Sequence, residues 1–316
     1  YEETVYVNQI PANELERWLV LENDRFRNLV LRLFHTELET VYEEFNMALD
    51  NDGRKARAKI MSSLFKNHPY GVAVLGLGEH LKNPSMKAIM QFKNDYYVPN
   101  NIAICLSGDL NMEETVKLID KHWGDWEAKE DIPEFTYTPE EEITEVTEVE
   151  VVGPEREFVS IAFRTPSNKT VESKYLDMIS EILNNGKAGL IDLNLVKQQK
   201  VLSAYSYAYG LKDYGVFQMG GTPREGQTLE EVKDLILAEV EKLKKGEFED
   251  WLLEAIVNEK KLNRIYAIEG NSIVYYFVDA FINEMSWEEA VYQIDEYEKI
   301  IYFNNFHYSC FYPRIY

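Results

Sequence analysis

The sequence is short of basic residues. Lys and Arg together number 33 against 55 Asp and Glu, which gives a formal net charge of -22. A field of this sign repels phosphate backbones and anionic lipid surfaces. The composition therefore predicts no nucleic-acid partner and leaves a neutral or cationic peptide as an electrostatically suitable one. Solubility alone is an equally sufficient explanation of the charge.

Cysteines and long apolar runs are also scarce. The two cysteines, Cys105 and Cys310, are too far apart in sequence to indicate a zinc ribbon or a disulfide framework. No apolar run reaches the roughly 18 residues of a membrane-spanning helix. Neither a G-x-G-x-x-G nor a Walker loop is present, which argues against a nucleotide-binding fold. The chain opens with YEETVYVNQIP, without the basic and apolar regions of a signal peptide, so we expect its true start to lie upstream.

The first part of the chain alternates short strand patterns with helical ones. Strands are predicted over ETVYVNQI and NIAICLSGDL. Apolar spacing and capping residues predict helices from about Asn13, from Leu33 to Asp50, from Ser85 to Tyr96 and from Asn111. Gly53 is expected to end the second of these helices.

Periodicity disappears from Glu127 to Glu142, where prolines and acidic residues accumulate, and this predicts a domain linker. Beyond it, strands over TEVEVV, FVSIAFRTP, SAYSYAYG and YGVFQMGGTP are followed by long amphipathic helices. Strands grouped apart from helices predict an α+β fold of two successive α/β-roll domains, each an antiparallel sheet packed against helices. The predicted division is a first domain, a linker, a second domain and an atypical aromatic tail: 1–130, 131–142, 143–300 and 301–316.

The stretch ELETVYEE places four glutamates within one predicted helix. Helical residues seven positions apart return to within about 20° of each other, so Glu37 and Glu44 share one face with Val41 between them. Glu39 and Glu43 point elsewhere. The Glu37 and Glu44 pair would be functional if one carboxylate coordinated a metal ion and the other oriented a histidine ligand of that ion. On spacing alone, a solvated helix face is the simpler explanation of all four glutamates.

The histidines do not complete such a site. His35 is spaced i, i+4 from Glu39, but it lies about 200° around the helix from Glu37 and would form a separate, weaker site. His68 falls in a predicted turn, and His80 and His122 fall near helix ends, where a role at the helix dipole is the simpler explanation. No two of the five histidines stand in H-x-x-E-H.

Four ordered stretches together resemble one family. They are Glu37, Val41 and Glu44 followed by FNMALDNDGRKA; then NHPYGVAVLGLGEHL; FKNDYYVPNNIAICLSGDLNMEE; and GLIDLNLVKQQKVLSAYSY. In this order they resemble the pitrilysin/insulinase-like zinc metallopeptidases, or inverzincins, whose signature is H-x-x-E-H. The resemblance covers roughly residues 1 to 299 and is to part of the N-terminal half of a long bacterial member.

The resemblance implies a role for two residues. Glu44 matches the third zinc ligand of the family and Glu37 the acidic residue that supports the site. The implied reaction is hydrolysis of peptide bonds by zinc-activated water. The implied partners are a peptide or unfolded polypeptide substrate and a C-terminal half or partner subunit that closes a chamber. The implied location is the bacterial periplasm or cell envelope.

The same resemblance limits what this chain is expected to do alone. The H-x-x-E-H segment should lie upstream of Tyr1 or not exist, so two of the three zinc ligands are absent from the sequence. We therefore expect the chain to bind zinc weakly or not at all and to be inactive. The first domain is expected to be N-terminally truncated, with an uncovered apolar face on the Leu33 to Asp50 helix. The alternative is a non-catalytic peptide-binding or chamber-forming half or subunit of a pitrilysin-like assembly.

Overall fold

The computed structural model of the chain describes residues 1–302 and contains two compact units. The first holds Tyr1 and Glu3–Gly153, and the second holds Glu2 and the residues from Pro154 onward. Residues 143–153, predicted as part of the second domain, thus lie with the first unit. Of the predicted tail 301–316, only the two residues that end the last helix are described, and the prediction for the rest lies outside the described residues.

The first unit is built from helices. Their bounds are Leu15–Arg27 (α1), Phe34–Leu49 (α2), Asp52–Leu64 (α3), Gly78–Leu81 (α4), Met86–Tyr96 (α5) and Met112–Trp123 (α6). Single 3-10 turns precede α1 and interrupt the longer connections, at Ala12–Glu14, Pro69–Gly71 and Pro99–Asn101. Ser85 and Asn111 cap α5 and α6, because each side chain accepts a hydrogen bond from the backbone N–H three residues on. The four helices predicted for this part are confirmed.

The strands predicted for the first unit are wrong. ETVYVNQI, NIAICLSGDL and the later TEVEVV form no strand in the described part of the chain. A strand requires a neighbouring backbone to pair with, and these segments make no ladder of backbone hydrogen bonds among the described residues. The alternation of apolar and polar residues predicts an extended segment, but it does not show whether a neighbouring strand is available for pairing.

The prediction that Gly53 ends a helix is also wrong. α2 ends at Leu49, and the side-chain oxygen of Asn51 accepts a hydrogen bond from Arg54 N at 2.8 Å to start α3. Gly53 therefore lies in the first turn of α3. Asn51 marks the true boundary, because an asparagine N-cap begins a helix as clearly as a glycine ends one.

The second unit holds the sheet and confirms the α+β class. Its strands are Val159–Pro166 (β1), Ser203–Gly210 (β2) and Tyr214–Thr222 (β3), paired antiparallel in the order β1-β3-β2. Its helices are Val171–Leu183 (α7), Leu229–Lys244 (α8), Trp251–Glu269 (α9), Ile273–Ile282 (α10) and Trp287–Tyr302 (α11). The helix predicted over GLIDLNLVKQQKV is confirmed over its first part, where Leu190 and Ile191 are α-helical and Asp192–Val196 continues as a π-helical turn.

The core of the second unit lies between one face of the sheet and the helices. Phe217 and Met219 of β3 point into it, and Ile182 of α7 and Ile236 of α8 are fully buried against them. The π-helical turn is fixed beside this core by Asp192. Its carboxylate accepts hydrogen bonds from the side chain of Asn184 and from the backbone N–H groups of Asn185 and Gly189. These donors all precede the helical residues, so the carboxylate holds the preceding loop against the start of the turn in the manner of a helix cap.

Candidate metal-ligand helix

The orientation of α2 is set by its apolar side. Leu38, Val41 and Phe45 are half-buried at helical spacing, as expected for a helix that packs on one side. Phe45 lies against Gly78 at the start of α4, where an added Cβ would come within 2.8 Å of the Phe45 ring. Glycine at position 78 therefore allows the close approach of α4 that holds this side of α2.

This packing presents Glu37 and Glu44 to solvent. Both residues lie in α2 with Val41 between them, as the spacing predicted, and both are exposed. Two exposed carboxylates two turns apart on one face are screened by water and do not need a cation to relieve repulsion, unlike a buried pair. The helix therefore offers carboxylate oxygens at its surface, and their position alone does not prove a metal site.

The other candidates on α2 do not join this pair. Glu39, Glu43 and His35 are all exposed. The His35 ring lies edge-on to its neighbour Phe34, with ring centroids 5.8 Å apart. Among residues 1–302 no group of three His, Cys, Asp or Glu side chains is placed to hold a metal ion. The chain's own described side chains therefore do not form a complete zinc site.

Two of the remaining histidines lie in the local settings predicted for them. His68 is buried and precedes the turn Pro69–Gly71, where its Nδ1 accepts a hydrogen bond from Tyr70 N. His122 lies in the last turn of α6, and its Nε2 is 3.0 Å from Oε1 of Glu16. Hydrogen bonds from Lys121 and then His122 lower the pKa of the Glu16 carboxyl. Neither histidine is placed as a metal ligand.

Buried carboxylates are a feature that sequence reasoning missed. Glu22, Asp52 and Glu239 are almost fully buried. Each forms an ion pair with a basic residue three positions later in its own helix: Arg25, Lys55 and Lys242. The i, i+3 spacing of acid and base was the available signal. These groups are neutralised within the fold and serve its stability.

Comparison with known proteins identifies the family. The profile described as "Peptidase M16 inactive domain" matches residues 85–260, more than half of the chain. The chain belongs to the M16 peptidase family. The predicted resemblance to pitrilysin-like metallopeptidases is thus confirmed. The matched region begins within the first unit, at the cap of α5, and ends in α9, so it spans the boundary between the two units.

Relatives and solved structures agree with this assignment. The zinc protease PqqE of Helicobacter pylori is 27% identical over 248 residues, which cover 76% of this chain and 55% of PqqE. A crystal structure of a protease from Helicobacter pylori has a TM-score of 0.80 at 22% identity, covering 94% of this chain and 75% of that one. The crystal structure of the periplasmic protease PqqL of Escherichia coli has a TM-score of 0.71 at 12% identity, and the match covers 94% of this chain and 34% of PqqL.

Family membership does not test the candidate ligands. The chain spans about half the length of the curated relatives it matches. Glu37 and Glu44 lie before the first matched residue of the family profile. Their assignment to a zinc site stays a prediction. Within residues 1–302, no helix combines the length and the apolar character needed to cross a membrane.

Proposed function

We propose that this chain is part of a zinc-dependent metalloendopeptidase and that Glu44 is one of three protein ligands to its zinc. Glu37 supports the site from two turns away on the same face of α2, and two histidine ligands come from outside this chain. The observation that carries the proposal is the placement of both glutamates on one exposed face of α2, beside the half-buried Val41. M16 family membership supports the reaction class.

The residues present fit part of a zinc site. Carboxylate oxygen is a normal zinc donor, and a helix fixed along its other side limits the positions that the Glu44 carboxylate can reach. When bound, zinc would supply an activated water for attack on a peptide carbonyl. This chain's contribution is to orient the carboxylate. Because it lacks two ligands, we infer that it binds zinc weakly and is inactive by itself.

The experiment compares the chain with a longer product of the same reading frame that includes H-x-x-E-H. In the longer protein, we expect about one zinc per molecule and cleavage of an unfolded peptide, both strongly reduced by Glu44→Gln. Glu43→Gln is the matched control, since Glu43 is an exposed neighbour on the same helix. Zinc content by mass spectrometry and peptide cleavage are the readouts.

Two results would overturn the proposal. If Glu44→Gln kept full zinc content while Glu43→Gln lost it, Glu44 would not be the ligand. If the 316-residue chain alone bound one zinc tightly and cleaved peptides, its inferred inactivity would be wrong.

A second candidate is a non-catalytic half or subunit that binds peptide or forms the wall of a chamber. The description of the matched profile as an inactive domain favours it. A reading frame that contains no H-x-x-E-H and a protein that binds peptide without cleaving it would favour this candidate over the first.

We further propose a peptide or unfolded polypeptide as substrate and a C-terminal half or partner subunit that closes the chamber. The bacterial periplasm or cell envelope is the proposed location, supported by the periplasmic PqqL among the structural neighbours. Fractionation of cells producing the full reading frame tests the location.

A further inference from the structure

Helix α11 meets α7 and α9 around the side chain of Tyr297. This half-buried tyrosine packs against the hydrophobic core of the second unit, and Ala290 and Ile300 of the same helix are buried as well. At the surface, Glu296 of α11 lies 3.9 Å from Lys174 of α7. A partly exposed ion pair at this distance contributes little, so the docking of α11 depends mainly on its buried contacts, among them Tyr297.

A single ammonium group lies at the centre of this junction. Lys260 of α9 places its Nζ 2.7 Å from Oδ2 of Asp177 in α7, and the same Nζ lies 4.9 Å from the centroid of the Tyr297 ring. The Tyr297 hydroxyl also donates a hydrogen bond to the Asp177 carboxylate. One side chain from each of three helices thus enters the same polar network, which combines an ion pair, a cation–π contact and a hydrogen bond.

A second carboxylate shares the same ammonium group without reaching hydrogen-bonding distance. Glu181 lies one turn after Asp177 in α7, and its Oε1 is 3.9 Å from the Nζ of Lys260. The Glu181 side chain is 35% exposed, so water solvates its charge only in part. Burial is the largest cause that raises the pKa of this carboxyl. One positive charge therefore faces two negative ones, and Glu181 is the carboxylate with the weaker contact.

The groups that face Glu181 come from every element packed around it. Lys260 is the neighbour that lowers the pKa of Glu181, whereas three carboxylates raise it: Asp177 in α7, Glu259 in α9 and Asp192 in the π-helical turn. Glu259 is itself paired with Lys187 at 2.6 Å, which reduces its effect on Glu181. From α11, the facing group is the Tyr297 hydroxyl, whose pKa is raised by burial, so it stays uncharged. The pKa of Glu181 therefore lies above its ordinary value of 4.5.

We propose that protonation of Glu181 tightens the docking of α11, so that the second unit holds this helix more firmly in mildly acidic solution than at neutral pH. When Glu181 is ionised, it competes with Asp177 for Lys260 and repels the Asp177 carboxylate. When Glu181 is protonated, the ammonium group serves Asp177 and Tyr297 alone. Because the pKa of Glu181 is raised by folding, this stabilisation is fully present below pH 4.5 and is lost as pH rises through the folded-state pKa.

Glu181→Gln imitates the protonated carboxyl and tests the proposal in the full chain. At pH 7, hydrogen exchange of the α11 amides from Ala290 to Ile300 should be severalfold slower in the variant than in the wild type. The difference should shrink as pH falls toward 4.5, because the wild-type carboxyl then becomes protonated. The two proteins are compared at each pH, so the chemical dependence of exchange on pH cancels.

Two further variants separate this effect from a general change in stability. Glu172→Gln is the matched control, because Glu172 is an exposed acid of α7, and it should not slow the exchange of α11 at any pH. Lys260→Met removes the ammonium group and keeps an unbranched side chain. Glu181 and Asp177 then face each other without this cation, so the exchange of α11 should depend more steeply on pH than in the wild type.

The proposal is overturned if the α11 amides of Glu181→Gln exchange at the wild-type rate at pH 7, or if the difference between the two proteins stays constant down to pH 4.5. A carbon-13 NMR titration of the wild type is a test without any substitution, and a Glu181 carboxyl that ionises at or below pH 4.5 would also overturn it. None of these measurements involves zinc or peptidase activity, so a failure here is distinct from a failure of the proposed function.

Discussion

The first unit should unfold before the second, because its buried core is much smaller. It has seven buried hydrophobic residues against 24 in the described part of the second unit. The seven are Leu15, Leu19, Met61, Leu64, Phe65, Tyr70 and Val98. The two units have similar numbers of described residues, so the second gains far more from removal of apolar surface from water.

A pair of core substitutions tests this difference. Leu19 in α1 and Ile182 in α7 are both fully buried, with 0% of each residue exposed. Replacement of either by alanine should cost its own unit about 3 kcal/mol. For units of this size, that corresponds to a fall of roughly 10 °C in the midpoint of the affected transition.

Tryptophan fluorescence can separate the two transitions. Trp18, Trp123 and Trp126 of the first unit are half-buried, whereas Trp251 and Trp287 of the second are already exposed. A change in fluorescence on heating should therefore report mainly on the first unit. Leu19→Ala should move this change to lower temperature, and Ile182→Ala should leave it in place.

Hydrogen exchange under the same conditions assigns each transition to its residues. A single cooperative transition shifted equally by both variants would refute the reasoning. So would faster exchange in β1 and β3 than in α1 and α6, because the unit with the larger core would then be opening first.

Two further predictions concern the second unit. Glu284 lies 2.8 Å from Lys212 and 3.0 Å from Lys169, and the hydrogen bonds from these lysines lower the pKa of its carboxyl to about 2. The contribution of Glu284 to the free energy of unfolding is therefore present above pH 4.5 and is lost as pH falls toward 2. Because it is two-thirds exposed, Glu284→Gln should lower stability at pH 7 by less than about 1 kcal/mol, and the difference from wild type in urea midpoint should vanish near pH 2. Thr228 and Glu231 form the capping box of α8, so Thr228→Ala should cost about 1 kcal/mol, whereas an unchanged urea midpoint would contradict the role of the cap.

Four of the six helices of the first unit were predictable because their signals are local, whereas α3 and α4 were missed. α5 and α6 begin where Ser85 and Asn111 cap them, and their apolar residues follow the helical period. The strands failed for the opposite reason, since pairing depends on residues far away in sequence. α10 was missed because IVYYFVDAFI is apolar around most of the helix and shows no clear period.

The π-helical turn could not be predicted from periodicity either. Ile191 and Leu195 are buried at i, i+4 spacing, so the pattern of apolar residues favours an α-helix. The buried carboxylate of Asp192 bonds to Asn184 and to backbone donors of the preceding loop, which fixes the start of the turn beside the core. Side-chain bonding of this kind depends on which loop is brought close, which the sequence does not state.

The candidate zinc ligand Glu44 and the buried carboxylates differ in their neighbours along the sequence. Each of the buried acids Glu22, Asp52 and Glu239 has a basic residue three positions later in its helix and forms an ion pair with it. Glu37 and Glu44 have no basic residue three or four positions later, and no ion pair joins them to another described residue.

Glu39 and Glu43 share this lack of a basic neighbour, so it cannot by itself select a ligand. The distinction between the two pairs comes from Val41. This half-buried residue lies on the apolar side of α2 with Leu38 and Phe45, next to Glu37 and Glu44. We propose that a carboxylate beside the packed side of its helix, with no ion pair among the described residues, is suited to complete a cation site with ligands from elsewhere.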